Sequence, residues 1–321
     1  MRVVFYSAST SAQANSTTRT TYQPFRADTW EEMSRLYPDC EFVVVGPLNG
    51  SYIFDVAEGE ICRRPEHVKY VLLESGISAE KTAELIAEQK PDVAVTIASG
   101  AVPFDWVPIK TALIAEELQK RGISTVANNT LVSVAAFDKW RSNIMFRSFV
   151  KAAKGIYIHH ELYIAEKKNK SISVNVYKEY VLYRNGEWFI IEINPRWSGM
   201  TTTTAAMEGR NPLAIFVDSI LGTDKNYSMK RNLKYALNFK MKARIQEELV
   251  RLYENPHVDY IMQLETTVTG MEKINYCEVV ISTDQGKEDI LNVLNELGEE
   301  FPGLVSDEVK ANAGTLIQKY E

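Results

Sequence analysis

The chain of 321 residues carries 36 basic and 42 acidic side chains, which gives a formal net charge of −6 at pH 7. Binding to nucleic-acid phosphates requires a basic face, so nucleic acid is not expected as the main partner. No apolar run approaches the length of a membrane span, and residues 1–6 look like a buried strand rather than a signal peptide. The three cysteines have no metal-ligand spacing, which favours reduced thiols and a cytoplasmic protein without a membrane partner.

The first part of the chain alternates apolar strand-like segments with amphipathic helical ones. Strands are predicted at 3–7, 41–45, 92–97 and 123–127, and helices at 29–37, 78–89 (with Ser78 as N-cap) and 109–121 (ended by Gly122). Strands separated by helices indicate a parallel sheet with both faces covered. Ligands of such sheets bind beyond the carboxyl ends of the strands, so residues 7–10 and 99–100 are candidate substrate loops. The Ser/Thr-rich segment 7–21 is either a loop ordered by a ligand or a mobile one, and its composition favours mobility.

The most informative pattern lies at residues 189–200, where an apolar run ends in a polar, glycine-containing turn. Asn-Gly at 185–186 is the pair favoured in two-residue hairpin turns and predicts a hairpin before that run. Glu192 and Asn194 are two residues apart on the predicted strand, so their side chains share one face. Carboxylate and amide oxygens suit Mg²⁺, and the planar guanidinium of Arg196 can bind a phosphate or a carboxylate. A strand with a polar face that ends in a turn is the plainer and less favoured interpretation.

The sequence EINPR at 192–196, continued by SGMT at 198–201, resembles the metal-binding strand of the ATP-grasp superfamily of carboxylate–amine ligases, such as biotin carboxylase and D-Ala-D-Ala ligase. The resemblance implies a further acidic ligand on the neighbouring antiparallel strand, and Glu179 stands at the matching position. The ligands of the Mg²⁺ ions that bridge the phosphates of ATP, with Mn²⁺ as an alternative ion, are then Glu179, Glu192 and Asn194. The residues that the resemblance places at the reacting carboxylate or phosphate are Arg196, Ser198 and Gly199.

The candidate lysines for the nucleotide are Lys139, Lys151 and Lys154. The resemblance places Lys139, near the middle of a predicted helical region at 130–153, towards the nucleotide. Lys151 and Lys154 share one side of that region, which is either phosphate-facing or a solvated surface. The lid of this family is more than twice as long as the segment between Lys139 and Glu179, so either the lid is shortened or the sequence lacks segments of the native chain. The adjacent histidines at 159–160 would point to opposite faces of a strand and are not expected to bind zinc.

Residues 201–207 are predicted to form a loop that leads into a helix, and a second helix is predicted at 213–221. The following order is strand 235–241, helix 245–253, strands 257–265 and 274–282, and helix 287–301. This order indicates a small α+β module of ferredoxin-like kind. We therefore predict an α/β protein of three domains: a Rossmann-like, parallel-sheet pre-ATP-grasp domain at 1–128, an ATP-grasp core with a reduced lid at 129–232, and an α+β C-terminal module at 233–321.

The favoured function is an ATP-dependent ligase that joins a carboxylate, expected to be an amino acid or a small peptide, to an amine through an acyl phosphate. A homodimer is the usual assembly of the family, and the sequence leaves the oligomeric state of this chain open. The alternative is a non-catalytic relative that binds a nucleotide or a metabolite, which the short lid favours. A dinucleotide-dependent oxidoreductase is disfavoured because no Gly-x-Gly-x-x-Gly follows the first strand.

Overall fold

A computed structural model describes residues 1–7, 18–23, 29–47, 68–74, 76–97, 107–137, 144, 155–158, 162–165, 181–184, 187–190, 199–225, 233–242, 244, 246–266 and 274–319. Within them the strands are β1 (Arg2–Tyr6), β2 (Thr18–Gln23), β3 (Glu41–Pro47), β4 (Lys69–Leu73), β5 (Val93–Thr96), β6 (Ser124–Val126), β7 (Gly155–Ile158), β8 (Leu162–Ala165), β9 (Val181–Arg184), β10 (Glu187–Ile190), β11 (Tyr235–Met241), β12 (Val258–Thr266) and β13 (Ile274–Thr283). The helices are α1 (Thr29–Leu36), α2 (Ala79–Glu88), α3 (Val107–Lys120), α4 (Thr130–Phe137), α5 (Gly199–Glu208), α6 (Pro212–Leu221), α7 (Gln246–Glu254), α8 (Asp289–Glu300) and α9 (Asp307–Lys319). Among these described helices, none has the length and apolar character needed to cross a membrane.

Five strands form a parallel sheet in the order β4-β3-β1-β5-β6, as the alternation of strands and helices predicts. In β1 the side chains of Val3 and Phe5 face one core, which contains α1, and those of Val4 and Tyr6 face a second core, which contains α2 and α3. All four are completely buried, which is typical of a central parallel strand covered by helices on both faces. The predicted Rossmann-like sheet is confirmed.

The strand order defines the edge at which such a sheet binds ligands. β1 and β5 are neighbours in the sheet. From β1 the chain adds β3 and β4 on one side, and from β5 it adds β6 on the other. A reversal of strand order of this kind leaves a crevice beyond the carboxyl ends of the two strands. At that edge the N–H of Ile97 donates to the carbonyl of Tyr6 and the N–H of Ser7 donates to the carbonyl of Val45, each at 3.0 Å. The candidate loops at 7–10 and 99–100 begin here, and the buried Ser7 is their one residue within the described part of the chain.

Local sequence signals set the ends of the helices on this sheet. The Oγ of Ser78 accepts a hydrogen bond from the N–H of Lys81 at 3.1 Å, so Ser78 is the N-cap of α2, as predicted. The helix α3 ends at Lys120, and Gly122 has a φ of +77°, a left-handed conformation that glycine adopts without a Cβ penalty.

Four strands form a smaller antiparallel sheet in the order β11-β13-β12-β2. The strands β11 and β12 are connected through α7 but separated by β13, which is the split β-α-β arrangement of ferredoxin-like modules. The helices α7, α8 and α9 cover one face, where Leu249, Leu294 and Ala313 share a core with Cys277 and Val279. The predicted α+β module is confirmed in its strand order, and α9 is a further helix that the sequence analysis did not predict.

The unexpected member of this sheet is β2. It pairs antiparallel with β12, from Gln23 opposite Ile261 to Thr18 opposite Thr266. The interpretation of the Ser/Thr-rich segment as a mobile loop is therefore wrong for residues 18–21. Threonine suits extended backbone because its side chain is β-branched, but the pairing depends on a partner near the other end of the chain.

One hydrophobic core joins the two sheets through α6. It contains Phe5 and Trp30 from the parallel-sheet layer, Leu213 from α6, and Tyr260 and Val280 from the antiparallel sheet. The rings of Phe5 and Trp30 meet edge to face, with 5.8 Å between their centroids. Residues from each of the three predicted domains share this core, and the boundaries after residues 128 and 232 stay predictions.

Residues 201–207 belong to α5 and do not form the predicted loop. A run of threonines lowers helix propensity, so the local sequence favours a loop here. Thr202, Thr204, Ala205 and Ala206 are buried, because α5 packs on the antiparallel sheet. The packing of this face outweighs the low propensity of the sequence.

Candidate functional site

An antiparallel hairpin of β9 and β10 precedes the segment 192–201, which is called the ATP-grasp-like motif below. Arg184 lies opposite Glu187, and the pairing continues to Val181 opposite Ile190. Because β9 ends at Arg184 and β10 begins at Glu187, two residues connect the strands, which is the length that an Asn-Gly pair favours. The predicted hairpin is confirmed.

The last part of the motif, from Gly199 onward, forms the start of α5. The first backbone N–H groups of a helix have no partner within the helix, and they carry the positive end of its dipole. The start of α5 therefore presents hydrogen-bond donors where the motif ends.

Gly199 is the predicted site residue that lies within the described part of the chain. The predicted site residues outside the described ranges are Lys139, Lys151, Lys154, Glu179, Glu192, Asn194, Arg196 and Ser198. Among the residues that the structure describes, no group of three or more His, Cys, Asp and Glu side chains could hold a metal ion. The metal site at Glu179, Glu192 and Asn194 therefore stays a prediction. The structure defines the elements next to these residues along the chain, which are β9, β10 and α5.

A partly buried polar contact attaches α5 to the antiparallel sheet. The amide nitrogen of Asn238 on β11 donates to Oε1 of Glu278 on β13 at 2.8 Å and to Oγ1 of Thr203 on α5 at 3.3 Å. Glu278 is only 6% exposed, and the Nζ of Lys240 lies 3.9 Å from its other oxygen. A carboxylate, an amide and a hydroxyl from three elements are thereby connected beside the helix that continues the motif.

Asn238 and Glu278 are not among the site residues predicted from the sequence. The signal for Glu278 is the apolar run CEVVI at 277–281, in which it is the single charge. A charge in a buried strand indicates a hydrogen-bonded or paired side chain, because an unpaired one is too costly to bury.

The helix α6 that follows α5 is attached to the parallel-sheet layer. The Oδ1 of Asn211 accepts from the N–H of Leu213 at 3.1 Å and caps α6, while its Nδ2 donates to the carbonyl of Thr29 at 3.0 Å. The hydroxyl of Tyr37 donates to the carbonyl of Ala214 at 3.0 Å. These hydrogen bonds link residues on both sides of the shared core.

The hydroxyl of Tyr37 is held in its protonated form. Burial raises the pKa of Tyr37 far above its ordinary value, and the neighbouring Asp218 raises it further. Asp218 is itself buried and accepts hydrogen bonds from the hydroxyl of Thr223 at 2.6 Å and from the N–H of Lys225 at 3.0 Å. Tyr37 therefore acts as a hydrogen-bond donor throughout the physiological pH range.

These elements define a mixed α/β protein with a Rossmann-like parallel sheet and a smaller antiparallel sheet. No protein-family model matches the chain. No curated protein matches its sequence either.

Solved structures with a similar arrangement include pyruvate carboxylase of Rhizobium etli with the allosteric activator acetyl coenzyme A. The TM-score is 0.45 at 11% identity, over 93% of this chain and 36% of that one. The biotin carboxylase domain of a thermophilic 2-oxoglutarate carboxylase, bound to ADP, has a TM-score of 0.45 at 11% identity, over 92% of this chain and 90% of that one. The chain therefore spans little more than a third of the pyruvate carboxylase chain.

Proposed function

We propose that the chain is an ATP-dependent carboxylate–amine ligase of the ATP-grasp kind. The observation that supports this most is the register of the β9–β10 hairpin, in which Val181 lies opposite Ile190. Two further steps in the same register would place Glu179 opposite Glu192, on one face of the hairpin. The motif singles out the same two acids independently of this pairing.

The donor set fits the implied metal. Two carboxylates that face each other across a strand pair repel, so a cation between them would relieve the repulsion. Glu179, Glu192 and Asn194 together offer the oxygen donors that Mg²⁺ or Mn²⁺ prefers. When bound, the ion would neutralise the phosphates of ATP and hold them for transfer.

The remaining motif residues would bind the reacting groups. In the proposed reaction an oxygen of the substrate carboxylate attacks the γ-phosphorus of ATP and ADP leaves. The amine then attacks the acyl carbon, loses a proton and releases phosphate. Such transfer depends on alignment and charge neutralisation. Arg196 would bind the carboxylate through both guanidinium nitrogens, and the N–H groups near Ser198 and Gly199 would face the developing negative charge.

The nucleotide and the substrate are proposed from the sequence. Lys139, Lys151 and Lys154 would contribute cationic contacts to the phosphates of ATP. An amino acid or a small peptide is proposed as the carboxylate, because the candidate substrate segments 7–10, 99–104 and 201–204 are mostly polar or small.

The second candidate is a protein that binds a nucleotide or a metabolite without turnover. The short segment between Lys139 and Glu179 favours it, and the strands β7 and β8 within that segment have only four residues each. A small lid excludes water poorly, and a reactive acyl phosphate requires protection from water.

The test combines thermal unfolding, with and without ATP and Mg²⁺, and phosphate release on a panel of amino acids. A ligand at a hundred times its dissociation constant stabilises the native state by about 2.7 kcal/mol, which gives a measurable shift. The variant E192Q removes a charge from the proposed metal site at nearly constant shape, so it should lose the Mg²⁺-dependent shift and the phosphate release. The matched control E187Q makes the same change at the turn end of β10 and should keep both.

Each outcome separates the two candidates. Amino-acid-stimulated phosphate release by the wild type and E187Q, but not by E192Q, supports the ligase and its metal site. A stabilising shift without release on any amino acid favours the binding protein. Full activity of E192Q contradicts the metal assignment. The absence of any shift in the wild type contradicts the ligase and a nucleotide-binding role.

A further inference from the structure

We infer that Asn238 and Glu278 are positioning residues that fix the first turn of α5, which begins at the motif residue Gly199. The kinetic consequence of this inference rests on the proposed function. The structural part stands on the partly buried contact between α5 and the antiparallel sheet, and it can be tested separately.

The burial of Glu278 requires an explanation. On β13, the alternate residues Cys277, Val279 and Ile281 face the core beneath α7, α8 and α9. Glu278 therefore lies on the opposite face of the sheet, the face on which α5 packs. A buried carboxylate is costly unless hydrogen bonds compensate for its lost hydration, so its partners identify what it does.

Besides the ion pair with Lys240, Glu278 has partners that form an ordered chain ending on α5. An ionised carboxylate only accepts hydrogen bonds, so Glu278 directs the NH₂ group of Asn238, and not its carbonyl, into this buried space. The two hydrogens of that group are used at 2.8 Å by Glu278 and at 3.3 Å by the hydroxyl of Thr203. The chain thereby fixes both the direction of the amide and the place of Thr203.

The location of Thr203 connects this contact to the motif. Thr203 follows Gly199 by four residues, which is about one helical turn. If Thr203 is released, α5 can rotate or slide on the sheet, and its first residue, Gly199, moves with it. A displacement of about 1 Å in a group that aligns reacting atoms can cost about a hundredfold in rate. Glu278 and Asn238 would therefore act through α5 and without touching the substrate.

The experiment uses the full chain and four variants. T203V removes the hydroxyl and keeps the shape of the side chain, so it breaks the last link and leaves the buried carboxylate in place. E278L removes the carboxylate, and E278Q restores an oxygen that can accept from Asn238. The matched control is S282A, because Ser282 is buried on the same face of β13 and its Oγ has no hydrogen-bond partner among the described residues.

We expect T203V and E278L to lower kcat for phosphate release about tenfold, while KM for ATP changes less than twofold. E278Q should recover most of the loss, and S282A should match the wild type. Hydrogen exchange should show faster exchange of the α5 amides in T203V than in S282A. The exchange readout does not depend on turnover, and T203V keeps the inference testable where E278L fails to fold.

The inference is overturned when T203V matches S282A in both α5 exchange and kcat. It is also overturned when KM for ATP rises in step with the loss of kcat, which would indicate a general loss of the site. A wild type without turnover contradicts the proposed function alone, and the exchange comparison then decides whether the contact fixes α5.

Discussion

The hydroxyl of Tyr37 donates to the carbonyl oxygen of Ala214 at 3.0 Å, across the core that joins the two halves of the chain. Tyr37 follows α1 on the parallel sheet, whereas Ala214 lies on the helix that comes after the ATP-grasp-like motif. Asn211 and Thr29 form a second hydrogen bond between the same segments. The segment after the motif is therefore held by the parallel-sheet layer through α6 and by the antiparallel sheet through α5.

The substitution Y37F should lower the free energy of unfolding by about 1 kcal/mol, because it removes one buried hydrogen bond and leaves the carbonyl of Ala214 with one partner fewer. Urea unfolding measures this change. The control Y235F removes the hydroxyl of a half-exposed tyrosine and should have no measurable effect. Equal effects of the two substitutions would show that the Tyr37 hydroxyl contributes nothing.

The stability of the protein should fall at alkaline pH. Burial raises the pKa of Tyr6 and of Tyr37 above the ordinary tyrosine value of about 10. A raised pKa in the folded state means that the stabilisation is fully present below pH ~10 and is lost as the pH rises beyond it. The free energy of unfolding should decrease as the pH rises through this range, and it should decrease less steeply with pH in Y37F. Ionisation of Tyr6 and Tyr37 in the native state at the ordinary tyrosine value of about 10 would contradict the prediction.

Two glycines should respond in opposite directions to alanine. Gly222 ends α6 with a φ of +65°, so G222A should lose about 1 kcal/mol although open space surrounds the new Cβ. Gly314 lies within α9, also in open space, so G314A should gain about 0.5–1 kcal/mol from helix propensity. Thermal unfolding of both variants checks the pair. A stabilised G222A would mean that the left-handed end of α6 is not required.

The thiols of Cys40 and Cys277 should differ in reactivity. Cys277 is completely buried in the core of the antiparallel sheet, and burial raises its pKa to about 12. Cys40 is partly exposed, and burial raises its pKa as well. N-ethylmaleimide followed by peptide mapping should label Cys40 in the native protein and Cys277 only after unfolding. Labelling of both at equal rates would indicate that the core around Cys277 opens readily.

The variant R196A should lose about ten- to a hundredfold in kcat/KM for the carboxylate substrate, because a hydrogen bond to a charged group is worth about 1.5–3 kcal/mol. ATP and Mg²⁺ should still stabilise it against heat. The control R35A removes an arginine with a largely exposed side chain on α1 and should leave both properties unchanged. Unchanged kinetics in R196A would assign Arg196 a structural role.

The parts of the fold that the sequence predicts are those with strong local signals. The buried strands around Val3 and Val93, the cap at Ser78 and the Asn-Gly hairpin all depend on neighbouring residues, and each lies where expected. The missed elements depend on distant partners. The strand β2 requires β12, and the threonines of α5 form a helix because of packing against the antiparallel sheet.

The candidate site follows the same division. The motif at 192–201 is visible in the sequence because its residues are adjacent. The Thr203–Asn238–Glu278 contact comes from three elements that are distant along the chain, and no spacing rule connects them. The role of Glu278 emerges only from the pairing of β13 with its neighbours.

The place of β2 at the edge of the antiparallel sheet bears on aggregation. An uncovered edge strand presents a row of backbone donors and acceptors to any other chain. The nine-residue strand β12 would present such an edge if β2 did not pair with it. During synthesis β2 emerges first and β12 much later, so the covering segment is already available when the vulnerable strand leaves the ribosome. Removal of β2 from the amino-terminal side would therefore expose the edge of β12 and favour aggregation.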